Sequence, residues 1–419
     1  MLKRFFASLK LWCVEAARNF RHEITIIFTD PAVMIFFFLL PLAYPVTYSL
    51  IYNTEVTREM PVAVVDNSRT ALSREFTRHA DATEAISIYG YAKDMEEARR
   101  WMAEKKVFCV MEIPGDYARQ LGRLEQPQVQ FYIDMTLLLR YRTFLSSITE
   151  LQIATGAQLR QAALDPMGFP DNGAPSQVSN VGFALGDTQQ GFASFIIPGI
   201  VVLIVQQSML LGITLIGGTR YEVRRRLLGP APHQAPLSGA LLHYWSPLEQ
   251  DAQGASPSAQ ILGRAMAYTI IYMPIVIYIF HYVLSWFSYP HEGEVIMYFA
   301  FILPMLLASA MLGQTINILA HEREASFVIV VFTSVIFLFL SGLTWPRFAM
   351  NSFFSWMGDL VPATAGIDGF VRINSNGAPL ALQTANWLHL WLLTLLYTVT
   401  AYFVCRYLTR TARRIASCY

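Results

Sequence analysis

The stretch "FASFIIPGIVVLIVQQSMLLGITLI", residues 192–216, contains no charged side chain. It leads directly into "GGTRYEVRRRLLGP", residues 217–230, whose arginines begin within about two helical turns of the apolar run. A helix needs roughly 20 apolar residues to cross a hydrocarbon core of about 30 Å, so the first stretch is predicted to span a membrane. The second stretch is predicted to contact either lipid phosphates or another protein through its arginines, which are Arg220, Arg224, Arg225 and Arg226.

The composition of the chain is that of an integral membrane protein. Of its 419 residues 54% are hydrophobic and only 15% are charged, which is far from the balance of an average soluble domain. Basic and acidic side chains nearly cancel, at 31 against 30, so no charge excess argues for a nucleic-acid partner. Six runs are long and apolar enough to span a bilayer, and they cover 32–52, 192–216, 261–284, 295–319, 327–343 and 387–405.

The first residues, "MLKRFFASLKLWCVEAARNFRHEI", do not fit a cleavable signal, because their apolar patch is short and broken by charge. They predict an amphipathic helix on the membrane surface, within residues 1–31. Its expected lipid side carries Phe5, Leu9, Leu11 and Trp12, and its expected water side carries Lys3, Arg4, Lys10, Arg18 and Arg21. A frayed basic tail is the alternative interpretation.

Basic residues are concentrated in every second segment that flanks or joins the predicted spans. They precede the first span, follow the second, recur as Arg323 between the fourth and fifth, and follow the sixth from Arg406 onward. By the positive-inside rule both termini are therefore predicted to be cytoplasmic. The expected order is a transmembrane helix at 32–54, an extracytoplasmic domain at 55–190, a transmembrane helix at 191–217, a cytoplasmic coupling loop at 218–260, and four further spans within 261–419.

The external segment is predicted to be a small α/β domain. Strands are expected at 60–66, 85–91, 106–113 and 127–133. Helices are expected at 70–80, started by the turn residues 66–68, then after Asp94 with Glu97 in capping-box spacing, at 116–121 and at 138–162. Cys109 is the one external cysteine, so no disulfide is expected within the domain. The fold class is thus a polytopic α-helical membrane protein with six transmembrane helices and a small α/β extracytoplasmic domain inserted between spans one and two.

Motifs that carry enzymatic chemistry are absent from the sequence. It contains no G-x-x-x-x-G-K-[ST] phosphate loop, G-x-S-x-G elbow, H-E-x-x-H or paired C-x-x-C, so no catalytic, cofactor-binding or metal-binding residue is predicted. "HEGE", residues 291–294, is interpreted as a solvated hairpin tip in preference to a metal site. Arg264, at the edge of the third span, is expected to extend its charge to the membrane interface. The spans otherwise lack acidic groups and lysines, which argues against a proton- or sodium-driven carrier.

A second charged motif, "HERE", precedes the fifth span. It consists of His321, Glu322, Arg323 and Glu324 and is predicted to be a cytoplasmic charge cluster. A simple anchor at the membrane interface and a functional contact both remain open for it.

Several longer motifs resemble a known family. They are "DPAVMIFFFLLPLAYPVTYSLIYN" leading into "MPVAVVDNSRTALSREF", then "FCVMEIPGDYARQL", and "LSGLTWPRFAM" followed by "LVPATAGIDGFVRI". Together with the order of the spans they resemble ABC-2 type exporter permeases, in particular bacterial half-transporters of the YhhJ/YbhR kind. The resemblance covers nearly the whole chain.

The resemblance implies a permease subunit that is not itself an enzyme. ATP and Mg would be bound by two copies of a separate ABC ATPase, and a second permease chain would complete a homodimer or heterodimer in the lipid bilayer of a bacterial inner membrane. A periplasmic adaptor is left open. The implied ATPase-coupling residues are Arg220, Tyr221, Glu222, Arg224, Arg225 and Arg226. The implied external re-entrant segment, at 344–366, contains Trp345, Pro346 and Pro362.

The exported substrate would be hydrophobic or amphipathic. Two other classes stay open from the sequence: a membrane-anchored sensor or assembly scaffold with an external ligand-binding domain, and a one-component carrier. A sensor rarely needs six spans, and a carrier needs ionisable groups within its spans.

Overall fold

The computed structural model describes residues 2–52, 58–123, 125, 127–134, 144–156, 191–228 and 256–416. These residues form two compact units, one from the described parts of 1–53 and 184–419 and the other from those of 54–183. The helices in chain order are α1 (Leu2–Thr29), α2 (Pro31–Ile51), α3 (Ala71–Asp81), α4 (Met95–Ala103), α5 (Tyr117–Gly122), α6 (144–156), α7 (Phe192–Leu228), α8 (Pro257–Trp286), α9 (Val295–Ile316), α10 (Arg323–Leu340), α11 (Ser352–Asp359), α12 (Pro362–Asn374) and α13 (Thr384–Ala416). The strands are β1 (Met60–Asp66), β2 (Ile86–Tyr91), β3 (Cys109–Ile113) and β4 (Gln130–Ile133).

The first unit is a bundle of helices, six of which, among the described residues, are long and apolar enough to cross a membrane. These six are α2, α7, α8, α9, α10 and α13, the last together with the short turn before it, and they confirm the six predicted spans. Inside α2, Pro41 has no N–H to donate and its ring crowds the preceding turn. The helix widens there into a π-turn over Ile35–Leu39.

Helix α7 is longer than the predicted span and includes the first residues of the predicted coupling loop. The loop was expected to begin at residue 218, but the helix continues to Leu228, for 37 residues. The adjacent Gly217 and Gly218 do not end the helix, because they lie inside it and pack closely against neighbouring chain. At about 1.5 Å per residue α7 is about 55 Å long, well beyond the roughly 30 Å of a hydrocarbon core.

Close helix packing holds the bundle together at glycines. A Cβ at Gly212 of α7 would lie 1.8 Å from the ring of Phe37 in α2, so the ring fills the space that a side chain would need. A Cβ at Gly263 of α8 would lie 2.4 Å from the carbonyl oxygen of Ala16 in α1. Helix α1 therefore packs directly on α8.

The second unit is a four-stranded sheet with helices in its connections. The strand order is β2-β1-β3-β4, with β1 parallel to both β2 and β3 and β4 antiparallel to β3. The four predicted strands are present, and β2, β3 and β4 each begin one to three residues later than predicted. Buried apolar residues cover both faces of β1, with Val62 and Val64 in one cluster and Ala63 and Val65 in another.

The start of α4 is confirmed and the start of α3 is corrected. The Asp94 carboxylate accepts a hydrogen bond from the Glu97 N–H at 2.8 Å, as the sequence predicts. At α3 the N-cap is Thr70, four residues after Asp66, which was predicted to start the helix. Asp66 instead accepts the hydroxyl of Ser73 at 2.8 Å and so supports the cap from the preceding turn.

Short helices follow α10 in the segment 344–366, for which the family resemblance implies a re-entrant segment. A 3-10 turn at Arg347–Ala349 and α11 precede α12, which continues to Asn374 and is largely buried in the bundle. Trp345 and Pro346 are exposed before the turn, whereas Pro362 is buried as the first residue of α12. How deeply this segment enters a membrane stays a prediction.

Candidate functional site

The turns of α7 with the sequence "GGTRYE", residues 217–222, lie close to the segment after α9 and to the segment before α10. A Cβ at Gly217 would lie 2.4 Å from the amide oxygen of Asn317, just after α9. A Cβ at Gly218 would lie 2.7 Å from the carbonyl oxygen of Glu322, just before α10. Because the glycines lack a side chain, α7 can approach both segments closely enough to position the polar side chains that follow.

Arg220 turns into the protein and binds an acidic residue of α1. Its guanidinium donates a hydrogen bond to the carboxylate of Glu23, and the two side chains are only 8% and 1% exposed. The hydroxyl of Tyr268 in α8 donates a hydrogen bond to the same carboxylate. Arg264 of α8, 13% exposed, has its Nε 3.8 Å from a Glu23 oxygen. These four residues, Glu23, Arg220, Arg264 and Tyr268, are called the Glu23 cluster.

The Glu23 cluster keeps a buried carboxylate ionised. Burial pushes the pKa of Glu23 upward, but the charges of Arg220 and Arg264, with the hydrogen bonds from Arg220 and Tyr268, outweigh it and leave that pKa below its ordinary value of 4.5. The cluster contains two guanidiniums for one carboxylate.

A second group of contacts, called the Arg323 junction, ties the end of α7 to the starts of α2 and α10. The Arg323 guanidinium donates to Asp30 at 2.6 Å, and the Arg323 backbone N–H donates to Glu222 at 2.8 Å. Asp30 also accepts the backbone N–H of Ala32 at 2.9 Å and so caps α2. Ser326 donates to the carbonyl of Thr214 at 3.0 Å. One arginine thus connects three helix ends.

The structure divides the predicted coupling residues into two groups. Arg220 is buried against Glu23, Glu222 is bound to the Arg323 backbone, and the ring of Tyr221 meets that of His321 edge-on at 4.8 Å. The backbone of Arg224, Arg225 and Arg226 continues α7, but their side chains and residues 229–255 of the predicted coupling loop lie outside the described residues.

The predicted "HERE" cluster is not a set of equivalent charges. Arg323 is half-buried in the junction named after it, while His321, Glu322 and Glu324 are exposed. Glu322 is the N-cap residue of α10, without a side-chain hydrogen bond to the helix among the described contacts. The cluster serves at least in part as an internal connection.

Three charged partners were missed from the sequence. Glu23 and Asp30 were not singled out, and Arg264 was expected to extend to the interface, whereas it is held inside the bundle beside Glu23. A signal was available, because Glu23 shares one helical face with Ala16, Asn19 and the pair 26–27, all of them buried. An acid on the buried face of a helix requires a partner.

The middle of α7 carries two adjacent amides that are incompletely paired among the described residues. Gln206 is fully buried and its oxygen accepts the backbone N–H of Ala363 at 2.6 Å, while its Nε2 has no partner among the described residues. Both amide atoms of the adjacent Gln207, and the hydroxyl of Thr364 in α12, are likewise unpaired within the described chain. Such groups are costly in an apolar region, so this point of α7 is a candidate contact for a polar part of a ligand or for water.

The "HEGE" segment joins α8 to α9 and is hydrogen-bonded to α12, while its Glu292 and Glu294 side chains are exposed, as expected for a solvated tip. The backbone N–H of Glu292 donates to the carbonyl of Asn374 at 2.8 Å, and His291 Nδ1 lies 2.7 Å from Asn374 Oδ1. Within the described ranges no group of three or more His, Cys, Asp or Glu residues could hold a metal.

The fold and these contacts define a polytopic helical membrane protein whose second long span carries the main polar contacts. The sequence model described as "ABC-2 family transporter protein" matches residues 31–227 and 250–403, which is most of the chain. The chain therefore belongs to the ABC-2 family of transporter proteins, whose members are typically membrane permeases with the ATPase in a separate subunit. No curated protein matches the chain significantly.

Proposed function

We propose that the chain is the membrane-spanning permease subunit of an ATP-driven exporter. In this proposal a separate ATPase hydrolyses ATP, and the permease moves a hydrophobic or amphipathic substrate out of the cytoplasm or the inner leaflet. The observation that carries the proposal is the continuity of α7, one helix that contains both the incompletely paired amides of Gln206 and Gln207 and the arginine-rich end.

Helix α7 is suited to transmit movement. Its "GGTRYE" turns bind α1 through Glu23 and α10 through Arg323, so a displacement of its end is expected to move α1 and α10 together with it. From Gln206 to Arg224 the helix rises about 27 Å, at about 1.5 Å per residue. A push on the arginines is thus expected to reach the amides in the middle of the span without crossing a loop.

Because Arg220 is buried, fewer arginines of α7 remain to contact the ATPase or lipid phosphates. Arg220 holds α1 and is assigned a positioning role, while Arg224, Arg225 and Arg226 are assigned to the ATPase or to lipid phosphates. Tyr221 and Glu222 orient the helix end through His321 and Arg323. The proposal favours carboxylates of the ATPase as the partners of Arg224 and Arg225.

The proposal also includes an orientation and a set of partners. The arginine-rich end of α7 and both termini are taken to be cytoplasmic by the positive-inside rule, which leaves the sheet unit outside a bacterial inner membrane. The exposed apolar face of α10, with Phe332, Ile336 and Phe339 at 50% exposure or more, suits lipid or a second permease chain. The second chain would be identical or related, and ATP and Mg would bind to the two ATPase subunits alone.

The test is a double charge reversal, Arg224→Glu with Arg225→Glu, followed by co-purification of the ATPase. Each exposed ion pair is worth only about 0 to 1 kcal/mol, but two repulsive contacts in one docking groove are expected to weaken assembly several-fold. The matched control is Arg99→Glu with Arg100→Glu, two exposed arginines of the sheet unit.

The outcomes separate docking from lipid anchoring. Normal insertion of the double variant with loss of the ATPase supports docking. Impaired insertion with the ATPase retained by the inserted fraction indicates lipid anchoring, because each basic residue near an anionic surface contributes about 1 kcal/mol. Normal insertion with the ATPase fully bound and stimulated contradicts the assignment of Arg224 and Arg225.

A further inference from the structure

A cleft lies at the end of the bundle opposite the arginine-rich end of α7, between the start of α7, the chain that follows α10, and α12. Its volume is about 660 Å³, it is partly open, and its charged lining is Arg347, Asp368 and Arg372. We propose that this cleft binds a phospholipid with a zwitterionic headgroup, which carries a phosphate and an ammonium group. The proposal concerns a site remote from the ATPase contact and does not depend on the proposed transport direction.

The position of the cleft along the spans is the first argument. From Phe195 in the cleft lining to Arg220, α7 rises about 38 Å at about 1.5 Å per residue, which exceeds the roughly 30 Å of a hydrocarbon core. The cleft is therefore expected to lie near a membrane boundary, where headgroups meet acyl chains. Aromatic side chains collect at such boundaries, and the chain after α10 exposes Trp345, Phe348, Phe353, Phe354 and Trp356.

The walls of the cleft are the second argument, because they combine charged and apolar surface. Phe348 is 93% exposed, so the described chain leaves its ring almost uncovered. An exposed apolar patch beside polar groups is typical of a binding surface. The volume of the cleft is within the roughly 300 to 1,000 Å³ of ligand pockets, so it can hold a headgroup and the start of its acyl chains. The apolar lining is Phe195, Leu343, Phe348, Ile367 and Val371.

The third argument is that Arg347 has donors without acceptors. One nitrogen, Nη2, makes its hydrogen bonds to the Asp359 carboxylate at 2.5 Å and to the carbonyl and hydroxyl oxygens of Ser355 at 3.0 and 3.3 Å. Its Nε is buried and has no hydrogen-bond partner within the described part of the chain. A buried donor without an acceptor is costly, and phosphate oxygens are acceptors that a guanidinium binds well. A phosphate in the cleft would supply them.

The charges around the cleft favour a headgroup without net charge. Arg347 is paired with Asp359, and Arg372 is paired with Asp368 at 2.8 Å, so these four side chains sum to zero. A headgroup with a net charge would leave that charge uncompensated beside apolar walls, whereas a zwitterion brings one charge of each sign. The phosphate is assigned to Arg347 and the ammonium to Asp368. Asp368 is 39% exposed, and Arg372 and Asn386 use three of the roughly four acceptor positions of its carboxylate.

The experiment measures lipid binding to the purified full chain in detergent after its lipids are removed. Native mass spectrometry compares three probes with the same acyl chains: dioleoyl phosphatidylethanolamine is zwitterionic, dioleoyl phosphatidylglycerol is anionic, and dioleoylglycerol has no phosphate. The wild-type chain is expected to bind phosphatidylethanolamine about tenfold more tightly than either other probe, as for one hydrogen bond to a charged group. The same spectra record whether the chain is a monomer or a dimer.

Three variants and a control locate the binding. Phe348→Ala removes an apolar wall whose exposure makes it dispensable for folding, and it is expected to weaken binding of every probe about tenfold. Asp368→Asn is expected to abolish the preference for phosphatidylethanolamine over phosphatidylglycerol. Arg347→Gln is expected to reduce binding of both phospholipids to that of dioleoylglycerol. The matched control is Phe332→Ala on α10, where the phenylalanine is 71% exposed away from the cleft lining, and binding should be unchanged.

The results support or overturn the proposal. Weaker binding in Phe348→Ala together with loss of the headgroup preference in Asp368→Asn supports it, and these two variants decide alone if Arg347→Gln does not elute as a folded protein. Equal phosphatidylethanolamine affinity in Phe348→Ala, Phe332→Ala and the wild type overturns it, as does tighter binding of phosphatidylglycerol by the wild type. Dissociation of a dimer by Phe348→Ala without a change in lipid affinity would show that a second copy of the chain covers the cleft, and it also overturns the proposal.

Discussion

Replacing Glu23 by glutamine tests whether the Glu23 cluster holds α1 against α7 and α8. The substitution preserves the shape of the side chain and removes its charge. Arg220 and Arg264 then remain buried beside a neutral amide, at 8% and 13% exposure. Removing one partner of a buried ion pair typically costs about 3 to 5 kcal/mol, because the remaining charge is left uncompensated.

The free-energy loss can be measured as a change in how often α1 opens locally. A loss of about 3 to 5 kcal/mol corresponds to an opening of α1 that is about a hundredfold to several thousandfold more frequent. Hydrogen–deuterium exchange of peptides from residues 14–29 measures this directly, since protected amides exchange through such openings. The faster exchange should be confined to α1 and the residues it covers.

The control is Asp368→Asn, which breaks an ion pair with Arg372 between side chains that are 39% and 55% exposed. An exposed pair is worth about 0 to 1 kcal/mol, so exchange near α12 should change by no more than about fivefold. If α1 in Glu23→Gln also exchanges within fivefold of the wild type, the cluster does not hold the helix and the reasoning is refuted.

Three further expectations follow from the same contacts. Gly218→Ala should destabilise the bundle by about 1 to 3 kcal/mol in thermal or denaturant unfolding, because the new Cβ would lie 2.7 Å from a backbone oxygen. The control is Gly122→Ala, whose Cβ would meet open space and should cause no destabilisation by crowding. The pKa of Glu23 is depressed in the folded chain, so the stabilisation that its ionised carboxylate gives is complete above the ordinary pKa of 4.5 and is lost as the pH falls through the lower folded pKa. Hydrogen exchange of α1 should therefore accelerate in acid in the wild type and change much less in Glu23→Gln. Asp94→Ala should destabilise the sheet unit by about 0.5 to 2 kcal/mol through loss of its N-cap, whereas an unchanged unfolding transition would show that the cap contributes nothing there.

The spans and strands could be predicted because their signals are local. A run such as residues 295–319 can satisfy its backbone hydrogen bonds within one segment only as a helix, so its length and composition predict a membrane-spanning helix. The alternation at 129–133 and the Asp94–Glu97 spacing likewise depend on neighbours within a few residues. These features survive in the structure with shifts of a few residues at the ends.

The contacts of the candidate site could not be predicted because they join distant parts of the chain. Glu23 and Arg220 are 197 residues apart, and Asp30 and Arg323 are 293 residues apart. No residue near Arg220 in the sequence distinguishes it from Arg224. In the structure the Arg220 side chain is buried, whereas Arg224 lies about one helical turn further along α7, at the arginine-rich end. The span was predicted to end at residue 217, between two glycines, while in the structure both glycines permit close packing of a continuing helix.

The most direct test of the central claim is a cross-link from the end of α7 to the ATPase. A single cysteine is introduced as Arg225→Cys in a chain whose four natural cysteines are replaced, and native membranes are treated with a short bifunctional reagent. The account predicts a product that joins this chain to a polypeptide containing a G-x-x-x-x-G-K-[ST] loop, and no such product from a cysteine at Arg99. A chain that forms no such product from position 225, while the ATPase is present in the same membranes, would contradict the account.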